Sequence, residues 1–425
     1  MAAAYFNEGI QAPATFSLYV RRPPRRGFFV AAGLEEILTF LDGFRFAPEE
    51  LAYLRQTALF SEAFLSYLAD LRFQGDVWAM PEGSLFFGDE PIIEVTAPLI
   101  QAQLLETWLI NAAGLSSLIA TKAARCVHAA QGRGLMDFSL RRDQGADAGL
   151  AAARASYLAG FDSTSNVLAG KLYGIPVSGT MAHSFIQAFD REIDAFRSYA
   201  RSFPRRTVLL IDTYDTVAGA RQAVQVAREM QPRGESLQAV RLDSGDLVDL
   251  SRRVRAILDE AGFGGVKILA SGGLDEFDLA ALLAQKAPID AFGVGTKMGV
   301  SADAPFLDIV YKMVQFDGRP VCKHSTGKVT LAGEKQVYRR SDPQGCYLED
   351  VLGTRQEQNP AARPLLQPVM RRGRRLHPPS ELNQLRQTFK ANFARLPETY
   401  KVLSAAPDFP VLLSERLRGL QPPVS

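Results

Sequence analysis

The chain has 425 residues, of which 47% are hydrophobic and 22% are charged, a composition typical of a globular protein with a large apolar core. Its 48 lysines and arginines nearly balance 46 aspartates and glutamates, so its net charge of +2 favours neither nucleic acid nor a membrane surface as a partner. The three cysteines are widely spaced and include no CxxC pair, and the sequence has neither a long apolar run nor a basic leader. These features predict a soluble, cytoplasmic protein.

The first hundred residues predict a mixed sheet followed by one long helix. Aromatic and β-branched residues are concentrated in three runs, and the stretch 99–130 has apolar residues at helical spacing. A separate amino-terminal layer is therefore expected over residues 1–130. The three runs are FSLYVRR (16–22), RGFFVAAG (26–33) and SLFFGDEPIIEVTAP (84–98).

Between residues 132 and 300, short β-rich runs alternate with helical stretches, a pattern typical of βα units in a parallel sheet. From Asp246 to Gly262 the apolar residues share one helical face, and Asp275 opens a further helix as an acceptor for its first amides. The six predicted strands are GLMDFSLRR (134–142), IPVSGTMAH (175–183), TVLLIDTYD (207–215), QAVRLDSGD (238–246), VKILASGG (266–273) and IDAFGVGT (289–296).

After residue 300 the pattern changes again. The runs LDIVYKMVQFDG (307–318) and RPVCKHS (319–325) predict two strands, and a polar segment rich in proline and arginine follows them. Its basic run RRGRRLHPP (371–379) is predicted to be a solvated loop, since runs of like charge usually lie on the surface. Residues 326–425 are expected to pack back on the amino-terminal layer.

Each of the six predicted strands ends in polar or glycine-rich residues, at the strand end where α/β barrels gather their catalytic groups. One such group of polar residues at a strand end is most simply explained as a helix cap or a turn. Their conjunction predicts an active site. The residues are Arg141 and Arg142, Thr180 and His183, Asp212 and Thr213, Asp243, Ser244 and Asp246, Ser271 to Gly273, and Gly293, Gly295 and Thr296.

Three features of these polar strand ends indicate ligand binding or catalysis. Arg241 and Asp243 are two apart on one strand, so they share a face, as a ligand site or as a buried structural ion pair. The turns ASGG and GVGT end neighbouring strands, and their exposed amides predict a phosphate cup. At the end of the predicted strand IPVSGTMAH, the imidazole of His183 is compatible with a general base, a metal ligand or a nucleophile.

The run from Asp137 to Phe185, DFSLRRDQGADAGLAAARASYLAGFDSTSNVLAGKLYGIPVSGTMAHSF, closely resembles the nicotinate phosphoribosyltransferase family of type II phosphoribosyltransferases. The resemblance implies an irregular, TIM-like α/β barrel over residues 131–325 and a flanking α/β sandwich. It also implies a homodimer whose active sites contain residues of both subunits. The likeness continues through LLIDTYDTVAGA, VRLDSGDL, ILASGGLDE, DAFGVGT, HSTGKVTLAGEKQVYRR, LPE and FPVLLS, and so covers nearly the whole chain.

The implied activity joins nicotinate to phosphoribosyl pyrophosphate, giving nicotinate mononucleotide and pyrophosphate in NAD salvage, in a ligase-type reaction coupled to ATP hydrolysis. By the match of GT-x-AH, His183 accepts phosphate from ATP and becomes phosphohistidine. Thr180 then lies near nicotinate, Phe138 stacks on the pyridine ring, and Arg141 and Arg241 hold the nicotinate carboxylate, since arginine forks suit such anions.

The same resemblance assigns the phosphoribosyl pyrophosphate site. Arg142 is expected to hold the pyrophosphate, while Asp243 and Ser244 approach the ribose or its Mg²⁺, with Asp243 as the magnesium ligand. The four remaining residues take the 5-phosphate. These are Gly272, Gly273, Gly295 and Thr296.

One departure from the family concerns the amino terminus. Family chains usually begin with D-x-Y-x-L-T-M, whereas this sequence starts at a methionine matching the last of these residues. The tyrosine of that segment closes the ring sandwich from the neighbouring subunit. We therefore hypothesise an active family member whose gene model is truncated at its start.

Three alternative functions remain open at the level of sequence. A nicotinamide phosphoribosyltransferase is the nearest, although a neutral amide does not call for the arginines at 141, 142 and 241. A phosphate-binding barrel isomerase or aldolase would need a lysine or carboxylate base and no ATP. A binding protein without catalysis would retain the pocket and bind phosphoribosyl pyrophosphate without turnover.

Overall fold

The computed structural model describes residues 1–21, 26–323 and 330–421. Arg22 of the run FSLYVRR, the end of RPVCKHS and the start of HSTGKVTLAGEKQVYRR lie outside the described residues. The chain divides into two compact units, which are Met1–Thr121 together with Phe306–Ser425, and Lys122–Pro305.

The first unit contains, within the described residues, a seven-stranded sheet in which all neighbouring strands are antiparallel. The strand Pro13–Val20 lies near the middle of this sheet, and all of its residues except the first are buried. Both faces of the sheet are therefore covered there. The strands predicted in FSLYVRR and LDIVYKMVQFDG are confirmed. The run SLFFGDEPIIEVTAP forms two strands instead of one, Leu85–Phe86 and Pro91–Pro98. The predicted mixed sheet is wrong, because every ladder of this sheet is antiparallel. In spatial order the strands are Arg319–Pro320, Ile309–Phe316, Pro13–Val20, Pro91–Pro98, Asp76–Ala79, Gln367–Arg371 and Arg374–Arg375.

Two smaller sheets complete the strands described for this unit. Phe29–Val30 pairs antiparallel with Leu85–Phe86, which confirms the strand predicted in RGFFVAAG. The other sheet is mixed, because its last two strands pair in parallel. Its order is Arg363–Pro364, Lys335–Ser341, Tyr347–Thr354 and Val411–Leu413.

The helix predicted over residues 99–130 is wrong as a single element. It is interrupted at Leu105, where ψ is −18°, compared with roughly −42° in a regular helix. Leu99–Leu104 and Glu106–Ala129 are therefore separate helices. The other helices described for this unit are Ala2–Asn7, Leu34–Asp42, Pro48–Gln56, Glu62–Asp70, Leu382–Ala394 and Glu415–Gly419, with a 3₁₀ turn at Glu398–Tyr400.

The prediction of a loop for the basic run 371–379 is wrong in its first half. Gln367–Arg371 and Arg374–Arg375 form a hairpin at the sheet edge, with positive φ at Arg372 and Gly373 in the turn. Acidic partners hold it in place, because Arg371 pairs with Asp76 at 2.6 Å. The run is surface-exposed, as predicted, but it pairs as a strand.

The second unit is built on a parallel sheet of six strands in the described chain, numbered here β1 to β6. Their spatial order is β2-β1-β6-β5-β4-β3, and no ladder joins the edge strands β2 and β3 among the described residues. The sheet is thus a curled half-barrel, which confirms the predicted irregular α/β barrel class. The strands are β1 (Gly134–Asp137), β2 (Ser163–Thr164), β3 (Thr207–Leu210), β4 (Leu237–Leu242), β5 (Lys267–Ala270) and β6 (Ala291–Val294).

Five of the six strands predicted for this region are confirmed, and the strand predicted at IPVSGTMAH is wrong. That run makes only one parallel bridge, between Val177 and Thr164 of β2. Pro176 lacks an N–H and contributes only its carbonyl, which accepts from the amide of Thr164. The sixth strand is instead β2, whose two residues are too few to show a periodic pattern.

Helices connect these strands, and aspartate side chains cap several of their first turns. Asp246 accepts from the amides of Val248 and Asp249, and Gly262 follows the end of that helix with a φ of +81°. Asp275 caps the next helix in the same way, so both predicted helix starts are confirmed. The helices are Ala146–Leu158, Val167–Tyr173, His183–Gln187, Glu192–Ser202, Thr216–Met230, Leu247–Glu260, Glu276–Ala284 and Thr296–Gly299, with 3₁₀ turns at Leu140–Arg142 and Gln231–Arg233.

No helix in the described part of the chain is both long enough and apolar enough to cross a membrane.

Candidate active site

Arg241 is the centre of a hydrogen-bond cluster at the carboxyl end of the parallel sheet. It is the penultimate residue of β4, so its side chain leaves on the same face as that of Asp243. Its Nε donates to Ser271 Oγ and its Nη1 to Thr180 Oγ1, both at 2.8 Å. Its Nη2 donates to Asp243 Oδ1 at 2.5 Å. One guanidinium therefore joins the loops after β4 and β5 to the segment around Thr180.

The carboxylate of Asp243 is kept in its charged form by its neighbours. Burial raises its pKa, but the hydrogen bond from Ser271 and the charge of Arg241 outweigh burial and leave the pKa below its usual value. Both groups contact Oδ1. The other oxygen, Oδ2, makes no hydrogen bond with a described residue and lies 4.0 Å from His183 Nε2. Asp243 therefore has one oxygen available for a ligand or a cation.

Asp212, at the end of β3, fixes the loop that carries Asp243 and Ser244. Its Oδ2 accepts from the Asp243 amide and from Ser244 Oγ, each at 2.8 Å. The Ser244 hydroxyl is thus oriented by protein, although Ser244 itself is exposed. The neighbouring strands β3 and β4 are joined at the end where the site lies.

His183 begins the short helix His183–Gln187 and has a side chain that is 40% exposed. Its Nδ1 lies 3.0 Å from Thr213 Oγ1, close enough for a hydrogen bond that fixes the ring. Its Nε2 is directed towards Asp243 Oδ2 at 4.0 Å. This geometry leaves Nε2 as the nitrogen that can accept a group from solvent.

Phe138 follows β1 and lies against Gly293 of the neighbouring strand β6 and against Gly295, which follows that strand. A Cβ on Gly293 would lie 2.5 Å from Phe138 Cε2, and a Cβ on Gly295 would lie 2.7 Å from the Phe138 carbonyl oxygen. Only glycine therefore lets the ring take this position. The guanidinium of Arg241 lies 5.5 Å from the ring centroid, within the range of a cation–π contact.

Two glycine turns follow the adjacent strands β5 and β6. Gly272 and Gly273 have φ of +103° and +71°, values that favour glycine. Gly295 and Thr296 lead into the helix Thr296–Gly299. None of these four residues donates its backbone amide to another described residue. Unpaired amides grouped in this way form concave anion sites.

Arg141 and Arg142 lie in the 3₁₀ turn that follows Phe138, and both are exposed. Neither guanidinium makes an ion pair or a hydrogen bond with any residue in the described ranges, so both remain available to an anion. The structure does not join them to the Arg241 cluster. Nearby, burial raises the pKa of Asp143 to about 6, with Ser139 donating to its Oδ2 at 3.0 Å.

Among the described residues, no group of three or more His, Cys, Asp or Glu side chains is arranged to hold a metal ion. Mg²⁺, however, is usually held by one or two carboxylates together with substrate phosphates and water. The free Oδ2 of Asp243 fits that limited role. A resident metal site formed by protein ligands alone does not fit the residues present in the described chain.

A buried carboxyl pair lies behind the site. Glu192 Oε1 and Asp212 Oδ1 are buried and have no hydrogen-bond partner among the described residues. Burial, with the charges of Asp212 and Asp215, raises the pKa of Glu192 to about 7. Because the folded-state pKa exceeds that of the unfolded chain, this group stabilises the fold most fully at low pH. Its contribution is lost as the pH rises through about 4.5 to 7.

Glu192→Gln is therefore expected to stabilise the protein at pH 8 and to leave its stability nearly unchanged near pH 5. The gain at pH 8 should be about 1–3 kcal/mol in the free energy of unfolding, since glutamine removes a buried charge. Urea unfolding at both pH values measures it. Glu229→Gln, at a partly exposed ion pair with Arg197, is the control. Equal effects of Glu192→Gln at the two pH values would contradict the prediction.

Three family models match the chain. They are the nicotinate phosphoribosyltransferase N-terminal domain over residues 1–113, the nicotinate phosphoribosyltransferase family over 134–353, and its C-terminal domain over 358–421. The chain belongs to the nicotinate phosphoribosyltransferase family.

Relatives in this family are similar over nearly all of this chain and most of their own length. A nicotinate phosphoribosyltransferase from Mycobacterium tuberculosis is 47% identical over 423 residues, which cover 99% of this chain and 90% of the relative. One from Bacillus subtilis is 39% identical over 447 residues, covering 98% and 91%. The crystal structure of human nicotinic acid phosphoribosyltransferase superposes with a TM-score of 0.90 at 31% identity, covering 99% of this chain and 97% of that one.

A more distant structure has the same fold. The crystal structure of nicotinate-nucleotide pyrophosphorylase from Pyrococcus furiosus matches with a TM-score of 0.75 at 25% identity. It covers 93% of this chain and 92% of its own. The fold of the family member described here is thus found in solved proteins.

In this nicotinate phosphoribosyltransferase family member, four supporting residues had no predicted role. The sequence places three of them, Asp212, Thr213 and Ser271, at strand ends. Their contacts, which are with Ser244, His183 and Arg241 respectively, depend on the fold. Asp137 is the fourth. It is buried, accepts from Thr164 Oγ1 at 2.7 Å and from the Ser139 amide at 2.9 Å, and so holds the turn after Phe138. The only signal for it in the sequence was its place in the run DFSLRR.

Proposed function

We propose that this chain is an enzyme that forms nicotinate mononucleotide and pyrophosphate from nicotinate and phosphoribosyl pyrophosphate in NAD salvage. The observation that carries the proposal is the joining of Phe138, Arg241 and Asp243 beside two glycine turns at one end of a parallel sheet. An aromatic face and a cation are suited to binding an aromatic acid. A carboxylate and unpaired amides are suited to binding a phosphorylated ribose. Family membership supports the same reaction.

The proposed base site is formed by Phe138 and two arginines. The pyridine ring stacks on Phe138, and its carboxylate requires cationic donors. Arg241 already uses four of its N–H groups within the chain, towards Ser271, Thr180, Met181 and Asp243. It can therefore supply one more N–H donor to the nicotinate carboxylate, and the exposed Arg141 supplies the remaining donors. A carboxylate matches this charge better than the neutral amide of nicotinamide does.

The proposed phosphoribosyl site is formed by the loops after β4, β5 and β6. The unpaired amides of Gly272, Gly273, Gly295 and Thr296 bind the 5-phosphate. Asp243 and Ser244 face the ribose, and Arg142 binds the pyrophosphate. When bound, Mg²⁺ neutralises charge on the leaving pyrophosphate, and Asp243 Oδ2 is the protein oxygen proposed to hold it.

In the proposed reaction, the pyridine nitrogen attacks the anomeric carbon as the bond to pyrophosphate breaks. Positive charge develops on the ribosyl group in that transition state. The ionised carboxylate of Asp243 stabilises this charge, and Arg142 stabilises the departing anion. Phe138 fixes the ring plane, so that the nitrogen is directed at the sugar.

The coupling to ATP is proposed to proceed through His183. Thr213 holds Nδ1, which leaves Nε2 to attack the terminal phosphorus of ATP, forming an N–P bond as ADP departs. The negative charge of Asp243, 4.0 Å from Nε2, stabilises the imidazole in its positively charged phosphorylated form. We further propose a cytoplasmic homodimer with shared active sites, on the basis of family membership.

The experiment is turnover of the purified protein with nicotinate, phosphoribosyl pyrophosphate and Mg²⁺, with and without ATP. Nicotinate mononucleotide and ADP are followed together. His183→Ala is expected to lose ADP formation and the ATP-stimulated part of turnover, while retaining a slower ATP-independent reaction. His377→Ala, at an exposed histidine of the other unit, is the control. Sedimentation of the same preparation should show a dimer.

The competing functions give different results in the same assay. Faster turnover of nicotinamide than of nicotinate would favour a nicotinamide enzyme. Binding of phosphoribosyl pyrophosphate without product from either base would sink the proposed activity and favour a binding protein. Normal ATP stimulation in His183→Ala would contradict the phosphohistidine.

A further inference from the structure

A buried charge cluster in the second unit includes two acids that follow the two glycine turns along the chain. It consists of Lys122 and Arg125 on the helix Glu106–Ala129, Glu276 at the start of the helix Glu276–Ala284, and Asp303. Lys122 Nζ lies 2.5 Å from Glu276 Oε2 and 2.7 Å from Asp303 Oδ1. Arg125 Nε lies 2.8 Å from Glu276 Oε1.

The cluster is well shielded from water. The side chains of Lys122 and Glu276 are 0% exposed and that of Arg125 is 2% exposed, while Asp303 reaches the surface at 28%. Two cations balance two anions, so the charges are compensated. Burying such a cluster still costs desolvation energy, and apolar residues of similar volume often stabilise a fold at least as well. Stability alone is therefore a weak explanation for it.

The acidic members of the cluster follow the two glycine turns in sequence. Glu276 is three residues after Gly273, at the first position of its helix. Asp303 follows the helix Thr296–Gly299, which begins directly after Gly295. Lys122 contacts both acids. One buried ammonium thus connects the segments that follow the first and second glycine turns.

A second ion pair joins the same two segments nearer the surface. Lys297 Nζ lies 2.7 Å from Asp278 Oδ2 and 3.5 Å from Asp275 Oδ2. The hydrogen bond with Asp278 raises the pKa of Lys297. Lys297 follows the second glycine turn, and Asp275 and Asp278 follow the first. The segments that follow the two turns are therefore joined by one buried and one exposed lysine.

We propose that Lys122, Arg125, Glu276 and Asp303 are positioning residues that set the distance between the two glycine turns and thereby the affinity for the 5-phosphate. They do not contact the substrate. The inference rests on the proposed function only in taking the turns as a phosphate site. Removing a link should loosen binding of phosphoribosyl pyrophosphate and leave the nicotinate site intact.

The test uses Asp303→Asn, which removes the negative charge from one link at the partly exposed edge of the cluster. Asp259→Asn, which disrupts an ion pair with Arg255 at 2.9 Å elsewhere in the unit, is the matched control. Calorimetry with phosphoribosyl pyrophosphate alone, without nicotinate or ATP, gives Kd. We expect Asp303→Asn to raise that Kd about tenfold, a change of about 1.4 kcal/mol. KM for nicotinate should change less than about twofold, and Asp303→Glu should restore binding.

Two results would overturn the proposal. One is a Kd in Asp303→Asn equal to that of the Asp259→Asn control. The other is an equal rise in Kd for phosphoribosyl pyrophosphate and in KM for nicotinate, which indicates general damage. If Asp303→Asn does not fold, Arg125→Lys, which keeps the charge but lacks the guanidinium contact with Glu276, takes its place. Because calorimetry needs no turnover, inactivity of the wild type would refute the proposed reaction and leave this test intact.

Discussion

Replacing Arg241 with alanine is expected to lower kcat/KM for nicotinate by about 10²- to 10³-fold, or roughly 3–4 kcal/mol of transition-state stabilisation. The side chain donates to Asp243, Ser271 and Thr180 and lies over Phe138. Its loss leaves the half-buried Asp243 carboxylate without its cation, and removing one partner of such a pair is costly. Steady-state kinetics with each substrate varied measures the effect.

Two further variants give this prediction its controls. Arg241→Lys keeps the positive charge but lacks the planar guanidinium that reaches three acceptors at once. An intermediate loss of kcat/KM is therefore expected. Arg253→Ala removes an arginine whose side chain is 55% exposed and pairs only weakly with Asp249, and kinetics like those of the wild type are expected. An Arg241→Ala enzyme within tenfold of the wild type would show that the cluster does not organise the site.

Gly272→Ala is expected to abolish measurable binding of phosphoribosyl pyrophosphate, with at least about a 10²-fold loss of activity. The φ of Gly272 is +103°, and a Cβ there would lie 1.9 Å from the carbonyl oxygen of Asp243. That atom belongs to the backbone and has no rotamer with which to move away. The turn after β5 must therefore separate from the loop after β4, which shifts both the amides and the Asp243 carboxylate.

Two other glycines separate steric overlap from backbone strain. Gly273 has a φ of +71° but open space around its Cβ position, so Gly273→Ala is expected to cost only about 1–2 kcal/mol. Gly265 has neither a strained φ nor a close neighbour, and Gly265→Ala should be neutral. Binding calorimetry and thermal unfolding rank the three variants. If Gly272→Ala and Gly273→Ala have equal effects, the close approach to Asp243 is not what matters.

The sequence was sufficient to predict most of the elements that carry the site. Strands β1, β3, β4, β5 and β6 are short apolar runs that end in glycine, aspartate or serine, and each signal is local. Because parallel strands direct their carboxyl ends to one edge, the residues after them were expected to lie together. The structure places Phe138, Arg241, Asp243 and Gly272 in that arrangement.

Other parts of the site depend on contacts that no local pattern shows. Strand β2 has two residues, and it is a strand only because β1 lies beside it. The run IPVSGTMAH looks like a strand, but it reaches the sheet at Val177 alone. A propensity for extended structure becomes a strand only where a neighbouring edge is free to pair.

The sequence by itself determined the family, the alternation of strands and helices, and the positions of the polar strand ends, because these follow from residue types a few positions apart. Only the tertiary structure decided which of those polar groups meet. Arg125 and Glu276 are 151 residues apart in sequence and 2.8 Å apart in space. Charge compensation in a protein interior depends on such distances, and hydrophobic periodicity carries no information about them.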